Sequence, residues 1–218
     1  MKQNLIGAIC LTFAASIWGS MYVVSKYVLD YIPPLTLVWV RYVIAFVVLF
    51  ALLKIFEAKK SNHSVITKKD WALLAWIGFI GYFVSIAFQF IGTKLSDAHT
   101  GALITSATPA FVVIFARFIL KEKLTIKKII SVLLASFGVV IVIGWDTNFG
   151  TYFLGSIILV GAAITWALLS VYVKVASKGL SSLTITTYAV LFALVFTTPA
   201  MIWELQFNEL FYQNTLIV

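Results

Sequence analysis

Apolar residues in this chain come in long unbroken runs rather than in the alternating or one-faced patterns of a soluble domain. Seven such runs stand out, at residues 5–28, 35–53, 71–91, 98–116, 129–145, 152–173 and 183–203. At about 1.5 Å of rise per residue, each run, coiled as a helix, crosses or nearly crosses the roughly 30 Å hydrocarbon core of a bilayer. Helices satisfy their own backbone hydrogen bonds, as an apolar solvent demands. Lipid-facing barrel strands would instead alternate with period two, and these runs do not. The pattern predicts an all-α polytopic bundle of transmembrane helices. Residues 1–20 resemble a signal peptide, with Lys2 ahead of an apolar run containing Ala14, Ala15 and Ser16. The run continues to Val28, too long for a signal-peptide core, and six more follow, so it is read as the first span.

Composition agrees with this reading. Of 218 residues, 62% are apolar and 11% charged, and the mean hydropathy is +1.04. That leaves too little polar surface to cover a soluble globule of this size. The net charge of +8 lies in short clusters between apolar runs rather than along one face, which argues against a nucleic-acid partner and for a topology signal. The connection after span two carries Lys54, Lys59, Lys60, Lys68 and Lys69, and the one after span four carries Arg117, Lys121, Lys123, Lys127 and Lys128. Lys174 and Lys178 follow span six. The connections after spans one, five and seven hold Asp30, Asp146, Glu204 and Glu209 and no basic residue. The positive-inside rule then places the amino terminus in the cytoplasm and the chain in the plasma (inner) membrane. Lys26, Arg41 and Lys94 fall outside the charge pattern. Cys10 is the single cysteine, so an intrachain disulfide is excluded.

Compared with itself at an offset of 148, the chain aligns span one with span six without a gap. Gly7, Ala14, Ala15, Trp18, Val23, Lys26, Leu35 and Thr36 meet Gly155, Ala162, Ala163, Trp166, Val171, Lys174, Leu183 and Thr184. The same offset divides the chain into a first five-helix repeat, residues 1–147, and the start of a second, residues 148–218. Because five spans is an odd number, the second unit enters the membrane from the opposite side and the repeats are inverted. Such repeats are a recurrent architecture of alternating-access transporters, with the substrate site where they meet. A complete second unit would run to about residue 293, so about seven of ten helices are expected here, with residues 211–218 beginning an eighth.

Trp18-Gly19-Ser20 with Lys26, Arg41 in the next span, Pro109 in span four and Glu122-Lys123-Leu124-Thr125 after it form a recognisable combination. In order and spacing it resembles the EamA-type pattern of the drug/metabolite transporter superfamily, across residues 5–203. The resemblance implies ten helices in two inverted five-helix halves with both termini cytoplasmic, and export of amino acids, related metabolites or toxic analogues. The chain departs from that pattern in lacking spans eight to ten and the second copy of the Pro and Glu positions.

Several side chains are candidates for a substrate cavity. Arg41 lies about seven residues inside span two, where a lipid-facing arginine costs about 2.5–3.5 kcal/mol or more. It is either a bidentate handle for a carboxylate or phosphate, or a snorkelling residue or structural cation pairing with helix-end carbonyls. Trp18 and Trp166 fall mid-span, away from the interfacial belt tryptophan favours, and are read as lining a cavity or packing helices. Tyr22, Gln89 and Thr105 join the cavity set. Gly101, Thr105, Ser106, Thr108 and Pro109 make span four small and polar, suited to close packing or to a proline-interrupted site. Lys26, Glu122 and Lys174 are candidate entrance or gating charges, with snorkelling and a surface ion pair as the alternatives.

Catalytic patterns are missing from the sequence. His99 beside Asp97 has no further ligand, and there is no His-Glu-x-x-His helix, Gly-x-Ser-x-Gly elbow or phosphate-binding Gly-Lys-Ser/Thr loop. No cofactor or metal is expected, and the chain is not expected to be an enzyme. The sequence thus points to a secondary transporter, in lipid, of a small polar metabolite such as an amino acid. The alternative is a membrane interaction protein, or an inert transporter fragment, that moves nothing.

Overall fold

The computed structural model describes residues 2–57, 66–143 and 150–215, with side chains described over 5–56, 66–141 and 150–206. The described elements are helical throughout: α1 (Lys2–Leu29), α2 (Pro34–Glu57), α3 (Lys68–Ile77), a π-helical stretch (Gly78–Ser85), α4 (Ile86–Leu95), α5 (Ala98–Ser106), α6 (Thr108–Ile119), α7 (Ile126–Ile143), α8 (Thr151–Ala176) and α9 (Ser182–Thr215). Among the described residues six helical rods are long and apolar enough to cross a membrane. Two of them are composite, Lys68–Leu95 from α3 through α4 and Ala98–Ile119 from α5 and α6. The fifth expected span, residues 129–145, corresponds to α7, and its last two residues lie outside the described residues. Residues 211–218 likewise fall where no side chain is described, and residues 216–218 are not described at all.

Helix α8 is the hub. It packs against α3, the π-helical stretch, α4, α5 and α6, while α2 packs along α9. Small residues make this possible, because in lipid helices associate through close van der Waals contact rather than through expulsion of water. A Cβ added at Gly92 would lie 2.9 Å from the Gly155 carbonyl oxygen, and one at Gly155 would lie 2.9 Å from that of Gly92. Ala162, Ala163 and Ala167 extend the contact face of α8. By contrast α1 packs mainly against α4 and α5, and its Leu5, Phe13 and Ile17 stay exposed, as apolar residues facing hydrocarbon would be.

Span three is not the uniform helix its sequence suggests. Between Gly78 and Ser85 the backbone widens to π geometry, where Cβ atoms at Gly78 and Gly81 would collide with Ala189 and Leu169. A side chain crossing from α2 uses this stretch, since the Tyr42 hydroxyl donates to the Tyr82 carbonyl. Span four breaks at Ala107, just ahead of Pro109. Proline has no N–H for the Thr105 carbonyl, and the Thr108 hydroxyl donates to that oxygen instead, at 2.6 Å.

Charged and polar groups close the helix ends. At the end of the bundle near Asp30, Glu204 of α9 accepts from the backbone N–H groups of Leu35 (3.1 Å) and Thr36 (2.9 Å), capping α2 from another span. Asp97 caps α5 through the Thr100 N–H at 2.8 Å. Burial pushes the Asp97 carboxyl up, but hydrogen bonds from Thr100, with those from Tyr152 and the His99 backbone, together outweigh that and hold it below the usual aspartate range.

Candidate functional site

Two cavities adjoin in the middle of the bundle, and Trp18 and Trp166 line both. These tryptophans, matched at the offset of 148, stand with ring centroids 5.0 Å apart and planes inclined by 47°. Trp166 also meets Tyr82 edge-on at 6.0 Å, and Tyr82 meets Tyr42 at 6.5 Å. The result is an aromatic partition near the midpoint of the spans, built from α1, α2, α8 and the π-helical stretch.

The larger cavity, about 520 Å³, lies against α4, α5 and α6. Tyr22, Gln89 and Thr105 face it, together with Ser85, Thr108 and Ser170. The Tyr22 hydroxyl and Thr105 Oγ1 are 2.6 Å apart, and Thr105 also donates to the Gly101 carbonyl. Ser85 donates to the Ala162 carbonyl at 2.9 Å. Gln89 is 5% exposed, yet its amide makes no hydrogen bond among the described residues. Its amide faces the cavity, so its four hydrogen-bonding sites are open to water or a ligand there.

The smaller cavity, about 230 Å³, follows α2 from Val38 to Leu49, a length of about 16 Å. Arg41 lines it, with Cζ 5.2 Å from the Phe90 ring centroid. The Arg41 Nη2 donates to Met21 Sδ at 3.0 Å.

All six candidate cavity residues therefore line one or both of these spaces, and Arg41 is divided from Tyr22, Gln89 and Thr105 by the tryptophan pair. The candidate entrance charges lie elsewhere. Lys26 Nζ donates to the carbonyls of Thr93 (3.1 Å), Lys94 (2.8 Å) and Ser96 (3.0 Å), closing the C-terminal end of α4. At the opposite end of the bundle Glu122 pairs with Lys174 at 2.8 Å and Lys128 at 3.1 Å, tying the α6–α7 turn to the end of α8. The hydrogen bond from Lys174, then that from Lys128, holds the Glu122 carboxyl below the usual glutamate range.

Tyr42, Tyr82, Ser85 and Phe90 line the cavities without having been singled out from the sequence. Ser85 and Gln89, four apart in an apolar run, were the available signal, since that spacing puts both on one helix face. Among the described residues no group of three or more His, Cys, Asp or Glu side chains could hold a metal ion.

A bundle of bilayer-spanning helices around internal cavities defines a multi-pass α-helical membrane protein. Residues 5–144 match the EamA-like transporter family, and the chain belongs to that family. It is 31% identical over 208 residues to the uncharacterized transporter YetK of Bacillus subtilis (strain 168), covering 94% of this chain and 62% of YetK. It is 24% identical over 205 residues to the uncharacterized transporter YvbV of the same organism, covering 93% and 65%. With the uncharacterized inner membrane transporter YhbE of Escherichia coli (strain K12) it shares 28% identity over 193 residues, covering 84% and 58%. The chain thus spans about three fifths of the length of the curated relatives it matches. No solved structure matches it significantly.

Proposed function

We propose that the chain forms the greater part of a secondary transporter that exports a small polar metabolite across the plasma membrane by alternating access between two inverted repeats. The observation that carries this reading is the mid-bundle pair of cavities meeting at Trp18 and Trp166. Residues related by a two-fold axis touch one another only close to that axis, so contact between these matched tryptophans supports a repeat interface at the cavities. Family membership and relatives named as transporters support the same class of activity. In this reading Tyr22, Gln89, Thr105 and Arg41 contact the substrate, and the two tryptophans divide its path. Lys26 and the Glu122–Lys174 pair hold the two ends of the bundle, with the amino terminus in the cytoplasm.

The test is flux of pooled labelled metabolites through proteoliposomes containing the purified full-length protein, compared with Trp18→Ala and Gln89→Ala. Selective flux, cut at least tenfold in both variants, is the expected result. A verified full-length, folded protein that moves none of the pool would overturn the reading and leave the membrane interaction protein as the account.

A further inference from the structure

The smaller cavity holds one positive group and no negative one. Arg41 presents five N–H donors in a planar fork, and the only hydrogen bond it makes among the described residues is to a thioether, a weak acceptor. Beneath it lies the Phe90 ring, and around it stand Tyr42, Tyr82 and the two tryptophans. Two of the neutral polar groups nearby are already engaged as donors, Tyr42 to the Tyr82 carbonyl and Thr186 to the Ser182 carbonyl at 2.9 Å. Neither cavity is lined by a carboxylate. At about 230 Å³ the space is below the range of about 300–1,000 Å³ that accommodates drug-sized ligands.

Resting on the transport reading above, we propose that this cavity selects small organic monoanions with a compact aromatic or branched apolar body, and discriminates against amino-acid zwitterions. A carboxylate docked on the Arg41 fork gains bidentate, charge-assisted hydrogen bonds. Its apolar body then meets aromatic walls. In an α-amino acid the ammonium is fixed beside the carboxylate, so docking the carboxylate brings a second cation close to the guanidinium with no acidic side chain to offset it. Of the aromatic faces in the cavity, that of Phe90 already lies under Arg41 and is closed to the ammonium. A lone cation in so small a space is equally unsuited to a nucleotide or a multiply charged phosphate ester.

Four single-ring probes that differ only in head group test this: phenylacetate (anion), phenylalanine (zwitterion), phenethylamine (cation) and phenylacetamide (neutral). Equilibrium binding of each to the full chain in nanodiscs should rank phenylacetate at least tenfold tighter than the other three. Arg41→Gln should bring phenylacetate level with phenylacetamide, and Arg41→Lys should restore part of the preference, with circular dichroism reporting that both variants remain folded. Phenylalanine binding as tightly as phenylacetate, an undiminished preference in Arg41→Gln, or no phenylacetate binding to the folded chain would each overturn the proposal. Parallel flux measurements keep it distinct from the transport reading. Binding in the expected order without flux removes transport and leaves the ligand class standing, whereas phenylalanine flux that survives Arg41→Gln removes the ligand class and leaves transport standing.

Discussion

Helices α1 and α8 carry matching residues at an offset of 148 and occupy opposite environments. Gly155 of α8 sits in backbone contact with Gly92, whereas its match in α1, Gly7, has nothing within 4 Å. Ala162 and Ala163 are 1% and 0% exposed, while Ala14 and Ala15 are exposed. Only at Trp18 and Trp166 do the two helices come to share an environment. In a bilayer, then, a small residue permits close packing but does not command it. The neighbour that arrives decides whether the smallness is used, because lipid tails are as apolar as any partner helix.

The widest separation between the two helices should come from enlarging those matched glycines. Gly155→Leu drives a side chain into the Gly92 carbonyl and the Ser96 N–H, each 2.9 Å from a Cβ, and should cost about 3 kcal/mol, at the upper end of ordinary overpacking penalties. Gly7→Leu should stay within about 0.5 kcal/mol of the parent, as substitutions away from packed sites do. Reversible unfolding in mixed detergent micelles measures both, and equal losses would remove the contrast.

A smaller effect is expected at the helix ends. Glu204→Ala removes the carboxylate that accepts from Leu35 and Thr36, and should cost about 1 kcal/mol, the usual penalty for losing an N-cap. Faster proteolysis near the start of α2 would report it, and an unchanged cleavage rate would show that water replaces the cap without loss.

The smallest effect, and one that depends on pH, belongs to Glu122. Its carboxyl is held below the usual glutamate range by Lys174 and Lys128, so the link is complete at and above that range, about pH 4.3. It is lost only as the pH falls through the lowered value, because there the folded state takes up the proton that an unfolded chain has already bound. Glu122→Gln should therefore flatten the acid limb of the thermal midpoint, with little change near neutral pH, since an exposed pair contributes little. A parallel acid limb in the variant would assign the pH dependence elsewhere.

Much of this molecule is legible in its sequence. Apolar run length yields the spans because the bilayer fixes how long a helix must be, and Thr108 beside Pro109 announced a local substitute for a missing backbone donor. The mid-span tryptophans pointed to the cavities because an indole N–H has little reason to sit in hydrocarbon. Other features needed three dimensions. The π-helical stretch brings Gly78 and Gly81 close against Ala189 and Leu169, more than 80 residues away in sequence. Glu204 and Lys26 look like ordinary loop and interface charges until α2 and α4 are brought to them. The contrast between α1 and α8 is invisible in composition, since the residues are the same.

The measurement that bears most directly on the central claim is solvent access to the cavity wall. In a Cys10→Ser background, single cysteines at Gln89 and Ser170, which line the larger cavity, are compared with one at Ile17 on the exposed apolar face of α1. A water-filled cavity predicts rapid labelling of the first two by a charged thiosulfonate in the folded, membrane-embedded protein and none at Ile17. Unreactive cysteines at both Gln89 and Ser170 would mean that the middle of the bundle is closed to water, and would contradict the account.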